Sequence, residues 1–244
     1  MDENIQNADA DAIEEEVKGG LLASLIDIFL DPAKVFARIA AGLQWWKAFI
    51  VLAVVNSVIA WFALPLQRQL VSLNASGISE EQLDMTLHQM ETFGWIGVVG
   101  APVGLLVIFL IVAGLINLIV NLTSAKSDFK MVLSLVCFTG FISILEQIIG
   151  TIIVRARGID TIEVVSDSVV RLGPAALFPD ATGILAATLQ ALSVFQIWYY
   201  IVFTLGIAAI FRIDIKKALI PAVVMLMISV ALIALSQSIS GMSG

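Results

Sequence analysis

Glu146 is the one acidic or basic side chain inside an apolar run of this sequence, and with Gln147 it lies between Met131 and Val154. A carboxyl in that setting can accept hydrogen bonds across helices, exchange a proton or hold a cation. At mid-bilayer it costs about 2.5–3.5 kcal/mol on insertion scales, so it should face a helix bundle or water, not lipid. Counting inward from Arg155 at about 1.5 Å per residue puts Glu146 roughly 13 Å below the membrane surface. Gln196 reaches a comparable depth if its own run enters near Leu185, which makes it the expected partner. Asn56, Asn117 and Asn121 are the other amides in apolar runs. Interhelical hydrogen bonds of roughly 0.6 kcal/mol each are their ordinary role. For Glu146 two readings stand: a structural tie between helices, or a proton-linked or cation-binding site.

Beyond these intramembrane polar candidates (Glu146, Gln196, Gln147 and Asn117) there is little chemistry to assign. The single histidine, His88, and the single cysteine, Cys137, are far apart, which excludes a zinc site built on Cys/His ligands. Cys137 has no partner for an intrachain disulfide. Serines are scattered without a base beside them, and no glycine-rich phosphate loop of the common kinds occurs. No basic patch suits nucleic acid. The expectation is a protein that is not an enzyme, with no cofactor, no metal and no nucleic-acid partner.

The elements that must position these residues are membrane helices. Of the 244 residues 59% are hydrophobic and 14% charged, against about 25% charged in a soluble domain. No lysine, arginine, aspartate or glutamate occurs between Glu91 and Lys126, between Asp180 and Arg212, or after Lys217. Each run exceeds the ~20 apolar residues that cross a ~30 Å hydrocarbon core. The fold class is therefore an all-α integral membrane protein with five transmembrane helices, at about 48–66, 93–122, 131–154, 185–211 and 218–238. Between the first two, Ser79-Glu80-Glu81-Gln82 reads as a capping box opening a short surface helix with the stripe Leu83, Leu87 and Met90. Ile162, Val165, Val169 and Leu172 suggest another surface helix. Gly97, Gly100, Pro102 and Gly104 should let the second span kink and approach a neighbour closely.

Ahead of the membrane domain, 45–244, two further segments are expected. The acidic tail, 1–18, carries the whole net charge of −7, cannot fold alone, and is read as disordered. It has no basic leader of the signal-peptide kind. Segment 19–44 reads as a pair of amphipathic helices. Leu21, Leu22, Leu25, Ile26 and Phe29 recur at helical spacing, and Asp31-Pro32 reads as an N-cap with proline at the first position of the second helix. There Val35, Phe36, Ile39 and Leu43 share a face, with Lys34 and Arg38 opposite. Such a helix lies in the membrane interface or packs on the protein's own bundle, and the two are compatible. Trp45, Trp46 and Lys47 follow as an interfacial anchor. Lys34, Phe36, Arg38, Trp45 and Trp46 are thus the membrane-interface candidates. With the N-terminus inside, nine bases lie inside and four outside, so an N-in, C-out orientation is expected.

The run Phe29-Leu30-Asp31-Pro32-Ala33-Lys34-Val35-Phe36, then Trp45-Trp46, then Ser79-Glu80-Glu81-Gln82-Leu83, resembles the bacterial branch of the YIP-domain (Ypt-interacting protein) family. The likeness covers about residues 20–240. It implies a five-span domain with a cytosolic N-terminus, in a bacterial cytoplasmic (inner) membrane. Eukaryotic members bind Rab-type GTPases and carry an Asp-Leu-Tyr-Gly-Pro segment ahead of the first span. That segment is missing here, so Rab-type GTPase binding is not carried over.

The function read from all this is a non-enzymatic membrane protein that organises membrane or binds partner proteins. The alternatives are a small transporter, channel or lipid-moving subunit using the polar residues in the spans, or an accessory subunit of a larger complex. The partners implied are the lipid bilayer and either further copies of the chain or another membrane protein.

Overall fold

Proline at position 32 decides where the chain first turns. It fixes φ near the helical value and lacks the N–H that a preceding helix would need, so one helix ends and another starts there. In the computed structural model α1 spans Leu21–Leu30 and α2 spans Pro32–Ala40. The structure describes residues 20–75, 77–123, 126–164 and 168–242; the expected acidic tail, 1–18, lies outside them. Asp31 departs from expectation, since its side chain makes no cap hydrogen bond. Its carboxylate pairs instead with Lys34 Nζ at 3.4 Å, while its carbonyl accepts the Lys34 N–H. At the far end Gly42 takes φ +99°, a conformation that favours glycine. Gly42 N–H then bonds Ile39 O and Leu43 N–H bonds Arg38 O, closing α2 as a Schellman motif.

The remaining helices are α3 Trp45–Leu73, α4 Glu80–Leu122, α5 Phe129–Arg157, α6 Gly183–Ala191, α7 Val194–Phe211 and α8 Ile215–Met242. Among the described residues there is no strand. Five of these helices (α3, α4, α5, α7 and α8) are long and apolar enough to cross a membrane. The chain is therefore a multi-pass membrane protein. In its most apolar window α5 is 67% buried inside the protein, against 11–33% for the other four. It is the most buried of the five, and the other four leave more of their apolar surface exposed.

Three expectations are corrected. The helix opened by Ser79 does not stop as a surface element. The capping box forms as expected, Gln82 N–H to Ser79 Oγ and Ser79 N–H to Gln82 Oε1, both 3.2 Å. The helix then continues for 43 residues to Leu122. Gly94 is the first helix-weakening residue on the way, and a single interior glycine costs only about 1 kcal/mol. At about 1.5 Å per residue such a helix is roughly 65 Å long, twice the hydrocarbon core. Second, the close approach expected at Gly97, Gly100 and Gly104 is not made; a side-chain carbon there would meet nothing within 4 Å. Third, the expected helix over 162–172 is absent among the described residues. Short 3-10 turns at Ile159–Thr161 and Pro174–Ala176 flank that stretch, and Val165 lies outside the description.

The described chain divides into two units, each built from pieces of the long helices. The first holds α1, α2, the start of α3, residues 107–142 and residues 199–223. Its core joins Phe36 and Ile39 to Leu52, Ile116, Leu135, Phe138, Phe203 and Ile207, all buried. Gly206 is the notch on α7 where these meet: a side-chain carbon there would stand 2.5 Å from Leu135 and 2.9 Å from Phe36. The second unit holds residues 53–106 and 143–198 and the end of α8. In it α3 and α4 pack through Leu64 against Gly94, with Ser57 Oγ donating to Val98 O at 3.3 Å.

Candidate functional site

The N-terminal helix pair is held by a buried ion pair. Arg38 on α2 is 5% exposed, and its Nη1 lies 2.5 Å from Asp27 Oδ2 and 3.1 Å from Ser24 Oγ on α1. A buried guanidinium is tolerated only when its charge and its donors are met, and Asp27 and Ser24 do this. Arg38 therefore does not project into water as expected. Phe36 is likewise buried, against Gly206, so it does not face lipid. The apolar face of α2 packs on the protein's own bundle. The stripe left outward belongs to α1: Leu22, Ile26 and Leu30 are 76%, 59% and 78% exposed, one turn apart. At the start of α3 Trp46 is exposed with Lys47 Nζ 5.5 Å over its ring, while Trp45 packs toward Phe49.

Inside the second unit Gln196 Nε2 donates to Glu146 Oε2 at 2.9 Å and to Ser143 Oγ at 3.4 Å. This joins α7 to α5 through the partner expected for Glu146. The fourth span is not continuous, however. It breaks at Leu192–Ser193, where Val194 N–H bonds Leu172 O and Gly173 lies against the Ser193 backbone. Ser193 then caps α7 by accepting the Gln196 N–H at 3.0 Å. The break thus fixes Gln196 three residues into a fresh helix. Gln147 points outward on α5 and takes no part. Asn117 is not a tie between spans: with Asn121 it holds the turn after α4, accepting Ser127 Oγ–H at 2.6 Å.

Sequence reading missed a cavity of about 670 Å³ in the second unit. Pro65, Arg68, Gln69 and Ser72 of α3 and Asp84, Leu87, His88 and Glu91 of α4 line it, both sets at helical spacing, with Arg155 from the end of α5 and Asp160 from the 3-10 turn that follows. Pro65 removes the N–H that the Trp61 carbonyl would accept and loosens that turn. The neighbouring Phe62 carbonyl takes Arg155 instead, from Nε at 3.1 Å and Nη2 at 2.6 Å, with the guanidinium 5.2 Å over the Phe62 ring. Arg68 Nη1 stands 3.5 Å from Glu91, and its Nε is buried with no partner. The signal in the sequence is that Arg68, Glu91 and Arg155 each end a charge-free run.

The Yip1 domain family profile matches residues 26–236. Over the full length of both chains the sequence is 24% identical to the membrane protein YknW of Bacillus subtilis (strain 168). No solved structure matches.

Proposed function

The chain belongs to the Yip1 domain family, and from that premise we propose that it is a non-enzymatic inner-membrane protein that organises membrane through α1. The observation that carries this is the outward stripe Leu22, Ile26 and Leu30 on a helix clamped by Arg38. A short helix that is held to its neighbour and keeps one apolar side outward lies in the headgroup–acyl boundary and wedges one leaflet. The nine-to-four bias of bases assigns that leaflet to the cytoplasmic side. Partner binding would use the same stripe, with the acidic tail as a second contact.

The test is reconstitution of the full chain into liposomes, with vesicle diameter measured by cryo-electron microscopy. Wild type should shift the diameters, and Ile26→Glu, inserted to the same level, should not. A photo-crosslinker at Ile26 that captures a co-purifying protein in place of lipid would move the reading to partner binding. Unchanged vesicles and no captured partner would remove it.

A second reading, a conduit for a small ion or lipid, is favoured by the broken fourth span. Interrupted helices with a polar group at the break are how transporters expose binding groups at membrane depth. Here Ser193 and Gln196 stand at the break, with Glu146 opposite. Loss of function in Glu146→Gln, with stability kept, would support it.

A further inference from the structure

We propose that the cavity between α3, α4 and the end of α5 binds a zwitterionic phosphate–ammonium group, the headgroup chemistry of phosphatidylethanolamine. This does not rest on the reading of α1. Three facts carry it.

The first is level. Between Lys47 and Arg68, between Glu146 and Arg155, and between Glu91 and Lys126 the chain has no charge. The runs from Lys47 to Arg68 and from Glu91 to Lys126 are long enough to fill the hydrocarbon core, so Arg68 and Glu91 at their ends belong among headgroups, and Arg155 closes the apolar stretch of α5 in the same cavity. Arg68, Arg155 and Glu91 line one cavity.

The second is the charge pattern. Two guanidiniums share the lining with the carboxylates of Asp84, Glu91 and Asp160. Apart from the long Arg68–Glu91 contact, no ion pair is made between these groups. A purely anionic ligand would meet three carboxylates and a purely cationic one two arginines. A group carrying both charges satisfies both sets.

The third is unfilled donor capacity. Arg68 Nε is buried without a partner. Phe62 holds Arg155 through Nε and Nη2, so its Nη1 edge is placed but uncommitted to that carbonyl. Guanidinium edges are the side-chain groups best matched to phosphate oxygens. A primary ammonium donates three N–H bonds to carboxylates, which the quaternary ammonium of choline cannot do.

The same chemistry occurs in the lipid and in soluble glycerophosphoethanolamine, and the experiment separates them. The full chain is placed in nanodiscs with equal parts phosphatidylethanolamine, phosphatidylglycerol and phosphatidylcholine, and retained lipid is read by native mass spectrometry. Phosphatidylethanolamine should be retained about tenfold over either other lipid, the size expected of a charge-assisted hydrogen-bond set. Asp84→Asn with Asp160→Asn should erase the preference over phosphatidylcholine, and Arg68→Gln should lower retention of all three at this site. Displacement by millimolar glycerophosphoethanolamine identifies a soluble ligand; no displacement identifies the lipid. Either source upholds the site. Equal retention of the three lipids by wild type, or a preference for phosphatidylglycerol, overturns it, and this readout does not depend on the variants folding.

Discussion

Arg38 on α2 reaches back across the Asp31–Pro32 break to Asp27 on α1, Nη1 to Oδ2 at 2.5 Å, with both helices otherwise joined by a single residue. The pair turns two short helices, neither stable alone in water, into one rigid hairpin. The arginine is buried and the Asp27 side chain only 21% exposed, so removing the arginine leaves a mostly covered carboxylate without its partner. Arg38→Met should therefore destabilise the hairpin by about 3–5 kcal/mol, and Arg38→Met with Asp27→Leu by much less. Hydrogen exchange over Leu21–Leu30 should show the single variant unprotected and the double variant largely restored.

Gly206 fills the opposite need, for space. A methyl group there would come within 2.5 Å of Leu135 and 2.9 Å of Phe36. Gly206→Ala should cost about 1–3 kcal/mol by overpacking, and Gly206→Ala with Leu135→Ala should recover part of it. Thermal unfolding in detergent reads the difference, and an unchanged midpoint in the single variant would show that α2 does not seat on α7 at this notch.

For the Glu146–Gln196 bond, the tie is worth on the order of 0.6 kcal/mol and at most about 1.7. Glu146→Gln keeps a hydrogen-bonding side chain of the same shape and should unfold like wild type. Glu146→Leu should lose up to that amount. If Glu146→Leu is as stable as wild type, the bond contributes nothing to stability and the structural tie is rejected.

These residues also show what could be read from the chain and what could not. The pairing of Glu146 with Gln196 followed from counting residues, because helix rise puts the two at matching positions along adjacent helices. The break at Leu192–Ser193 did not follow: neither residue breaks helices, and what opens the turn is Gly173 and the Leu172 carbonyl packed on it from a distant loop. Periodicity revealed an apolar face on each of α1 and α2 but could not say which face met protein. That was decided by the Gly206 notch for Phe36 and by Asp27, whose place beside Arg38 is invisible in either helix alone. The charged cavity brings one face of α4, Asp84 to Glu91, against Arg68 of α3 and Arg155 of α5, a meeting of three separate segments that no local pattern in the chain announces.

Orientation rests on nine bases against four. Reporters fused after Lys126 and Lys217 should read as cytoplasmic, and those after Arg171 and Gly244 as exported. A cytoplasmic signal at Gly244 would reverse the arrangement of the last span.

The central claim is that Leu22, Ile26 and Leu30 lie in the membrane, and spin-label accessibility tests it most directly. The full chain in nanodiscs should be labelled singly at Ile26 and, as a reference exposed on a loop, at Asp180. A label at Ile26 should collide with oxygen and be shielded from a water-soluble nickel chelate, while one at Asp180 shows the reverse. Equal access of the chelate to both positions would place α1 in water and contradict the account.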